Sequence, residues 1–136
     1  MAFQTTEQII AELRDLGIRP GRDGRYRFWK VVTADRAPPV QGGGIRYRDG
    51  AEISIKRYSS NPRALCGMGL HVLIHPNVGY GHRLLLRVVV APEDIVCVPH
   101  GTAYALAVAQ RSEGASDFTG GPKVRVRRLT VIGPAK

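Results

Sequence analysis

Arg83-Leu84-Leu85-Leu86-Arg87-Val88-Val89-Val90 is the most apolar stretch of the chain, and its reading decides the architecture. A short, nearly continuous apolar run that ends in three valines suits a strand buried on both faces. Pro92, Glu93 and Asp94 break it, and Ile95 to Val98 starts a further strand that Pro99 stops. With only Arg87 interrupting it, the segment Leu84 to Ala91 falls far short of the ~20 residues needed to cross a bilayer.

Downstream, Thr102 to Gln110 is ambiguous between strand and helix. Tyr104, Leu106 and Val108 share one face of an extended chain opposite alanines, and the segment is read as a strand. Arg111 to Pro122, rich in glycine and serine, reads as a mobile loop, and Val124 to Ile132 closes the domain as one strand. Upstream, Asn77 to Gly81 reads as a turn and Gly69 to Ile74 as a strand, while Ser59 to Pro62 opens a short helical turn ending near Cys66. Ala51 to Ile55 and Ile45 to Arg48 read as a hairpin with a short edge strand. The prolines, glycines and Asp49-Gly50 between Asp35 and Gly50 favour loop and hairpin. Tyr26 to Thr33 reads as a strand.

At the start, Thr5 followed by Gln8 has the form of a capping box, and Ile9, Ile10, Leu13 and Leu16 recur at helical spacing before Gly17. The expected fold is therefore α+β in a single domain, 1–136, with an N-terminal helix within 1–19 and a strand-rich core over 25–133. The helix packs on a mostly antiparallel sheet or small two-sheet sandwich, with a basic half-open barrel as the competing architecture.

Composition narrows the function classes. The 43% hydrophobic and 23% charged content is that of a globular chain. Two cysteines, Cys66 and Cys97, make no disulfide framework, and the first residues lack the basic and apolar regions of a signal peptide. A cytoplasmic protein without membrane attachment is expected. The formal net charge of +9 predicts attraction to nucleic acid or to an acidic protein.

Potential catalytic groups are dispersed. His71 and His75 on an extended chain lie about 13 Å apart, too far to share a metal ion, and no metal site is expected. Cys66 lacks an evident base and orienter, so it reads as a small buried hydrophobe. Gly42-Gly43-Gly44 could cradle an anion, but no Gly-Lys-Ser/Thr or helix start follows. Cations concentrate around it at Lys30, Arg46, Arg48, Lys56 and Arg57. In the closing strand, alternation puts Arg125 and Arg127 on one face, about 7 Å apart, a spacing suited to successive phosphates or paired carboxylates. Tyr26, Phe28, Tyr47 and Tyr58 are the aromatic residues near these charges.

Cys66-x-x-Gly69-Leu70-His71, Asp94-x-Val96-x-Val98-Pro99 and Lys123-x-Arg125-Val126-x-x-Leu129-x-Val131 together resemble a family of small phage and mobile-element domains. The similarity extends to the C-terminal part of the phage rapid-lysis protein rIIB and covers roughly Arg27 to Gly133. It implies a phage accessory protein that binds a host factor. A second similarity is to the ADP-ribosyltransferase fold, carried by Leu65 to Val72 and Leu84 to Val90. It implies an NAD pocket faced by Lys30, His71 and Tyr80, with His100-Gly101-Thr102 imitating a nicotinamide-binding motif late in the chain. The glutamate such a transferase requires is missing from Val124 to Ile132. The expectation is thus a non-catalytic protein without a cofactor, binding an acidic host protein or nucleic acid through Arg125, Arg127, Arg46, Arg48, Lys56 and Arg57. The alternative is an NAD-binding, ADP-ribosyltransferase-like protein, degenerate in catalysis.

Overall fold

The computed structural model describes residues 4–37, 46–63, 68–76, 78–79, 83–111, 116–117 and 122–135, with backbone only at 78–79 and 116–117. Helix α1, Thr6–Asp15, begins at the expected box: Gln8 N donates to Thr5 Oγ1 at 3.1 Å and Thr5 N donates to Gln8 Oε1 at 2.8 Å. It ends where Gly17 takes a φ of +83°, a conformation that costs glycine least. Gly17 N then donates to Arg14 O and Ile18 N to Leu13 O, closing the last turn.

The described residues form nine strands: β1 Tyr26–Val32, β2 Glu52–Ser54, β3 Leu70–Leu73, β4 Val78–Gly79, β5 Leu84–Val90, β6 Ile95–Cys97, β7 Ser116–Asp117, β8 Lys123–Val126 and β9 Arg128–Pro134. Seven form one antiparallel sheet in the order β2-β9-β5-β1-β3-β8-β6, and β4 pairs with β7 in parallel. Among the described residues the class is α+β with an N-terminal helix on an antiparallel sheet, as expected.

This sheet is not flat. β8 and β9 stand four places apart in it, which is about 19 Å at ~4.8 Å per strand. Only Arg127 separates them in sequence, and two residues of chain reach about 7 Å at most. The sheet therefore curls until its two sides meet at Arg127, as in a partly open barrel. Arg127 N donates to Asp94 O at 2.9 Å, and Ile55 N donates to Arg127 O at 3.0 Å, which fastens the seam.

Alternation along each strand then separates an inner from an outer face. Tyr26, Phe28, Val32, Val72, Leu86, Val88, Val90, Val124, Val126, Leu129 and Val131 form the inner cluster with Ile9 and Leu13 of α1. Tyr26 and Phe28, two residues apart on β1, stack with ring centroids 5.6 Å apart. A smaller outer cluster joins Val31, Leu73 and Leu85 with Trp29 and Ala135.

Several expectations require correction, beginning with the turn over Asn77 to Gly81 and the loop over Arg111 to Pro122, where Val78–Gly79 and Ser116–Asp117 pair instead as parallel strands. Thr102–Arg111 is a helix, α2, whose buried residues Thr102, Leu106 and Ala109 follow helical spacing. Tyr104 is 74% exposed while Leu106 is 4% exposed, so the two do not share a strand face. Four alanines, the strongest helix formers, outweigh the apparent alternation. The closing segment is two strands, because Arg127 bends the chain: β8 pairs with β3 and β6, whereas β9 pairs with β5 and β2. The expected edge strand over Ile45 to Arg48 is also absent at its described residues 46–48, which lead into a turn.

Candidate functional site

Arg125 does not belong to an exposed basic face. Its side chain is 0% exposed, on the outer side of β8 beneath the segment Ser59 to Asn61. Nη1 donates to Ser59 O at 2.7 Å, to Asn61 O at 3.1 Å and to Cys97 Sγ at 3.2 Å. The guanidinium thus staples an irregular segment onto the sheet by supplying donors to backbone carbonyls that have no ladder partner. Gly69 makes room for it: a Cβ there would lie 2.6 Å from Arg125 Cγ.

Arg127 sits at the bend and not in register with Arg125. Its Nε donates to Asp94 Oδ1 at 3.0 Å. Tyr58 and, after it, Asp94 hold the guanidinium in its charged form and raise its pKa. The other four cations are exposed but divided: Arg46 and Arg48 precede β2, and Lys56 and Arg57 follow it. Arg46 also approaches Asp35, at 3.9 Å. The six residues therefore do not form one surface.

Lys30 and His71 are brought together, but not as a nucleotide pocket. Lys30 lies on the inner face beside Phe28 and Val32, whereas the register Trp29↔Leu73 places the His71 side chain on the outer face. Lys30 Nζ donates instead to the His71 backbone carbonyl at 2.8 Å and lies 5.7 Å from the centroid of the Tyr47 ring. Burial, then the charge of Lys123, lowers the pKa of this ammonium to about 8. Burial also pushes the Tyr47 hydroxyl up to about 12. Tyr80, Cys66 and Gly42 to Gly44 lie outside the described residues.

Cys97 is fully buried, and burial raises its thiol pKa against the opposing influence of Arg125, which suits packing better than nucleophilic attack. Above edge strand β6 runs an open groove of about 740 Å³ lined by Gln4, Gln8, Glu12, Asn61, Arg63 and His100. Its Gln4 amide is engaged at both ends: Gln4 Nε2 donates to Glu12 Oε1 and Val98 N donates to Gln4 Oε1. Among the described residues no three metal-ligating side chains gather, and no helix is long and apolar enough to cross a membrane.

A different basic surface emerges on the outer face of β1, β5 and β9. Ladder pairing sets Trp29 directly opposite Arg87, and Arg27 opposite Val89, which in turn faces Thr130. Arg128 shares the face of Thr130, two residues along β9. Arg27, Arg87 and Arg128 are exposed and Trp29 is partly exposed; Arg27 and Arg87 are its near neighbours, while Arg128 lies two strands across and beyond the row of Arg27. Asp23 approaches Arg27 at 3.8 Å; among the described residues no carboxylate pairs with Arg87 or Arg128. Besides Asp23, Glu52 lies across from Thr130 on the edge strand, and the Asp49 carboxylate lies 3.8 Å from where a Cβ on Gly133, the register partner of Arg87, would stand.

Sequence reading passed over this surface, although a signal was present. Arg87 interrupts the most apolar run of the chain, and Arg27-x-Trp29 alternates in phase with buried Tyr26 and Phe28. Three of the aromatic residues chosen from the sequence, Tyr26, Phe28 and Tyr47, are buried in the inner core.

Fold and site together define an α+β domain with a curled antiparallel sheet that carries three exposed arginines and a partly exposed tryptophan on its outer side. Compared with protein families, curated proteins and solved structures, the chain matches none.

Proposed function

We propose that this protein is a non-catalytic binding protein that engages an anionic partner through the outer face of β1, β5 and β9. The observation that carries the reading is the set of exposed Arg27, Arg87 and Arg128 on one face, with Trp29 directly opposite Arg87 and, among the described residues, no carboxylate paired with Arg87 or Arg128. Cations held on adjacent strands of a rigid sheet lose little further freedom when they bind, which favours a preorganised electrostatic contact. The net charge of +9 adds long-range steering toward such a partner. The accessory role implied by the phage-domain resemblance fits this reading. The NAD reading has no comparable support, because Lys30 and His71 project from opposite faces.

Elution from immobilised heparin tests the proposal. The pair Arg27→Glu with Arg87→Glu should elute at clearly lower salt than the parent, while Arg48→Glu with Lys56→Glu should shift elution less. Equal shifts, or a larger one for the second pair, would contradict it.

A further inference from the structure

We infer that the anionic partner is single-stranded nucleic acid, with a base stacked on Trp29 and neighbouring phosphates held by Arg27, Arg87 and Arg128. This rests on the basic-face reading and goes beyond it by assigning a role to the indole. In the register, Arg87 is the direct cross-strand neighbour of Trp29, with Cβ atoms about 5 Å apart. Arg27 lies two residues back on the same strand and the same face, about 7 Å away along β1. Trp29 packs against Val31, Leu73 and Leu85, which restrains it, and the residue as a whole stays partly open to solvent.

A restrained aromatic ring flanked by guanidiniums on a sheet surface is the combination that single-strand binders use. The ring accepts the π-face of any base, and the cations follow the backbone. A duplex hides its base faces and offers the ring nothing to stack on. A carboxylate-rich protein would satisfy the arginines and leave the indole without a role. A curled sheet presenting its outer strands is also how small barrels display oligonucleotides.

Trp29 is the sole tryptophan of the chain, so intrinsic emission reports on this face alone. The full-length protein is titrated with oligothymidylate of about 12 nucleotides, a length within the usual site sizes of single-strand modules. Heparin and a duplex of matching length are titrated in parallel. The expected result is strong quenching by oligothymidylate, little by heparin or duplex, and an apparent log–log salt slope near −2, roughly 0.7 per phosphate for three contacts. Anisotropy of a labelled oligonucleotide should show Trp29→Ala binding roughly 5- to 150-fold more weakly, the loss of about 1–3 kcal/mol of stacking. Trp29→Phe should recover part of that loss, and circular dichroism checks that each variant is folded. Salt-dependent heparin binding without quenching by oligothymidylate would overturn the nucleic-acid assignment and leave the basic face standing. Binding of neither polymer would overturn both. Duplex binding as tight as single-strand binding would also overturn the assignment.

Discussion

Replacing Lys30, a residue 8% exposed on the inner face, by methionine keeps the aliphatic stem and removes a buried ammonium. Burial, with the charge of Lys123 adding to it, lowers the pKa from the ordinary 10.5 to about 8. At about 1.36 kcal/mol per pH unit, that difference amounts to roughly 3 kcal/mol of destabilisation when both folded and unfolded chains carry the proton, below pH 8. Between 8 and 10.5 the unfolded chain holds a proton that the folded chain has released, so stability rises with pH across that window. Above about 9 the Cys97 thiol, and above about 10 the buried hydroxyls of Tyr26 and Tyr47, act in the opposite sense, since burial makes the folded chain keep protons the unfolded chain loses. The clean window is therefore about pH 8 to 9. Methionine also forfeits the bond to the His71 carbonyl, a cost of about 1 kcal/mol. The net expectation for Lys30→Met is a gain of roughly 2 kcal/mol at pH 7 and a flatter pH dependence. Urea unfolding followed by circular dichroism from pH 7 to 10 measures both. Loss of stability at pH 7, or a pH 8 to 9 slope equal to that of the parent, would refute the assignment of a buried, strained charge to Lys30.

Other predictions concern the buried staple and the helix ends. Arg125→Met should cost about 3 kcal/mol, since it strands the Ser59 and Asn61 carbonyls at ~1–3 kcal/mol each. In a Cys66→Ser background it should also speed labelling of Cys97 by a thiol reagent, followed by mass spectrometry; unchanged labelling would argue against the staple. Gly69→Ala, which drives a Cβ into the Arg125 stem at a φ of +151°, should lose about 1–3 kcal/mol in thermal or urea unfolding. Thr5→Ala should cost about 1 kcal/mol by the same measurement through loss of the reciprocal cap.

Much of the architecture is legible in local patterns. The capping box before Ile9, the alternation of Tyr26 and Phe28, and the Leu84–Val90 run each specify an element without reference to distant residues. The curl of the sheet is different, because the bend at Arg127 depends on backbone bonds to Asp94 and Ile55, far apart in sequence. Arg125 misleads for a related reason. Alternation assigns it correctly to the face opposite Val124 and Val126, but a solvated outer arginine and one lying under a loop have the same period. The glycine that admits its stem, Gly69, is 56 residues away in the chain, by the two residue numbers. The Trp29 surface could have been found from Arg87 alone, since a guanidinium inside a doubly buried strand needs an opening on one side.

The central claim is that the outer sheet face, and not the flanks of β2, receives the partner. Backbone amide chemical-shift mapping by NMR during titration with oligothymidylate tests it most directly. The account predicts the largest shifts at Arg27, Trp29, Arg87, Arg128 and Thr130, with the Trp29 indole N–H moving in step. Shifts centred on Arg46, Arg48, Lys56 and Arg57, with Trp29 unmoved, would contradict it.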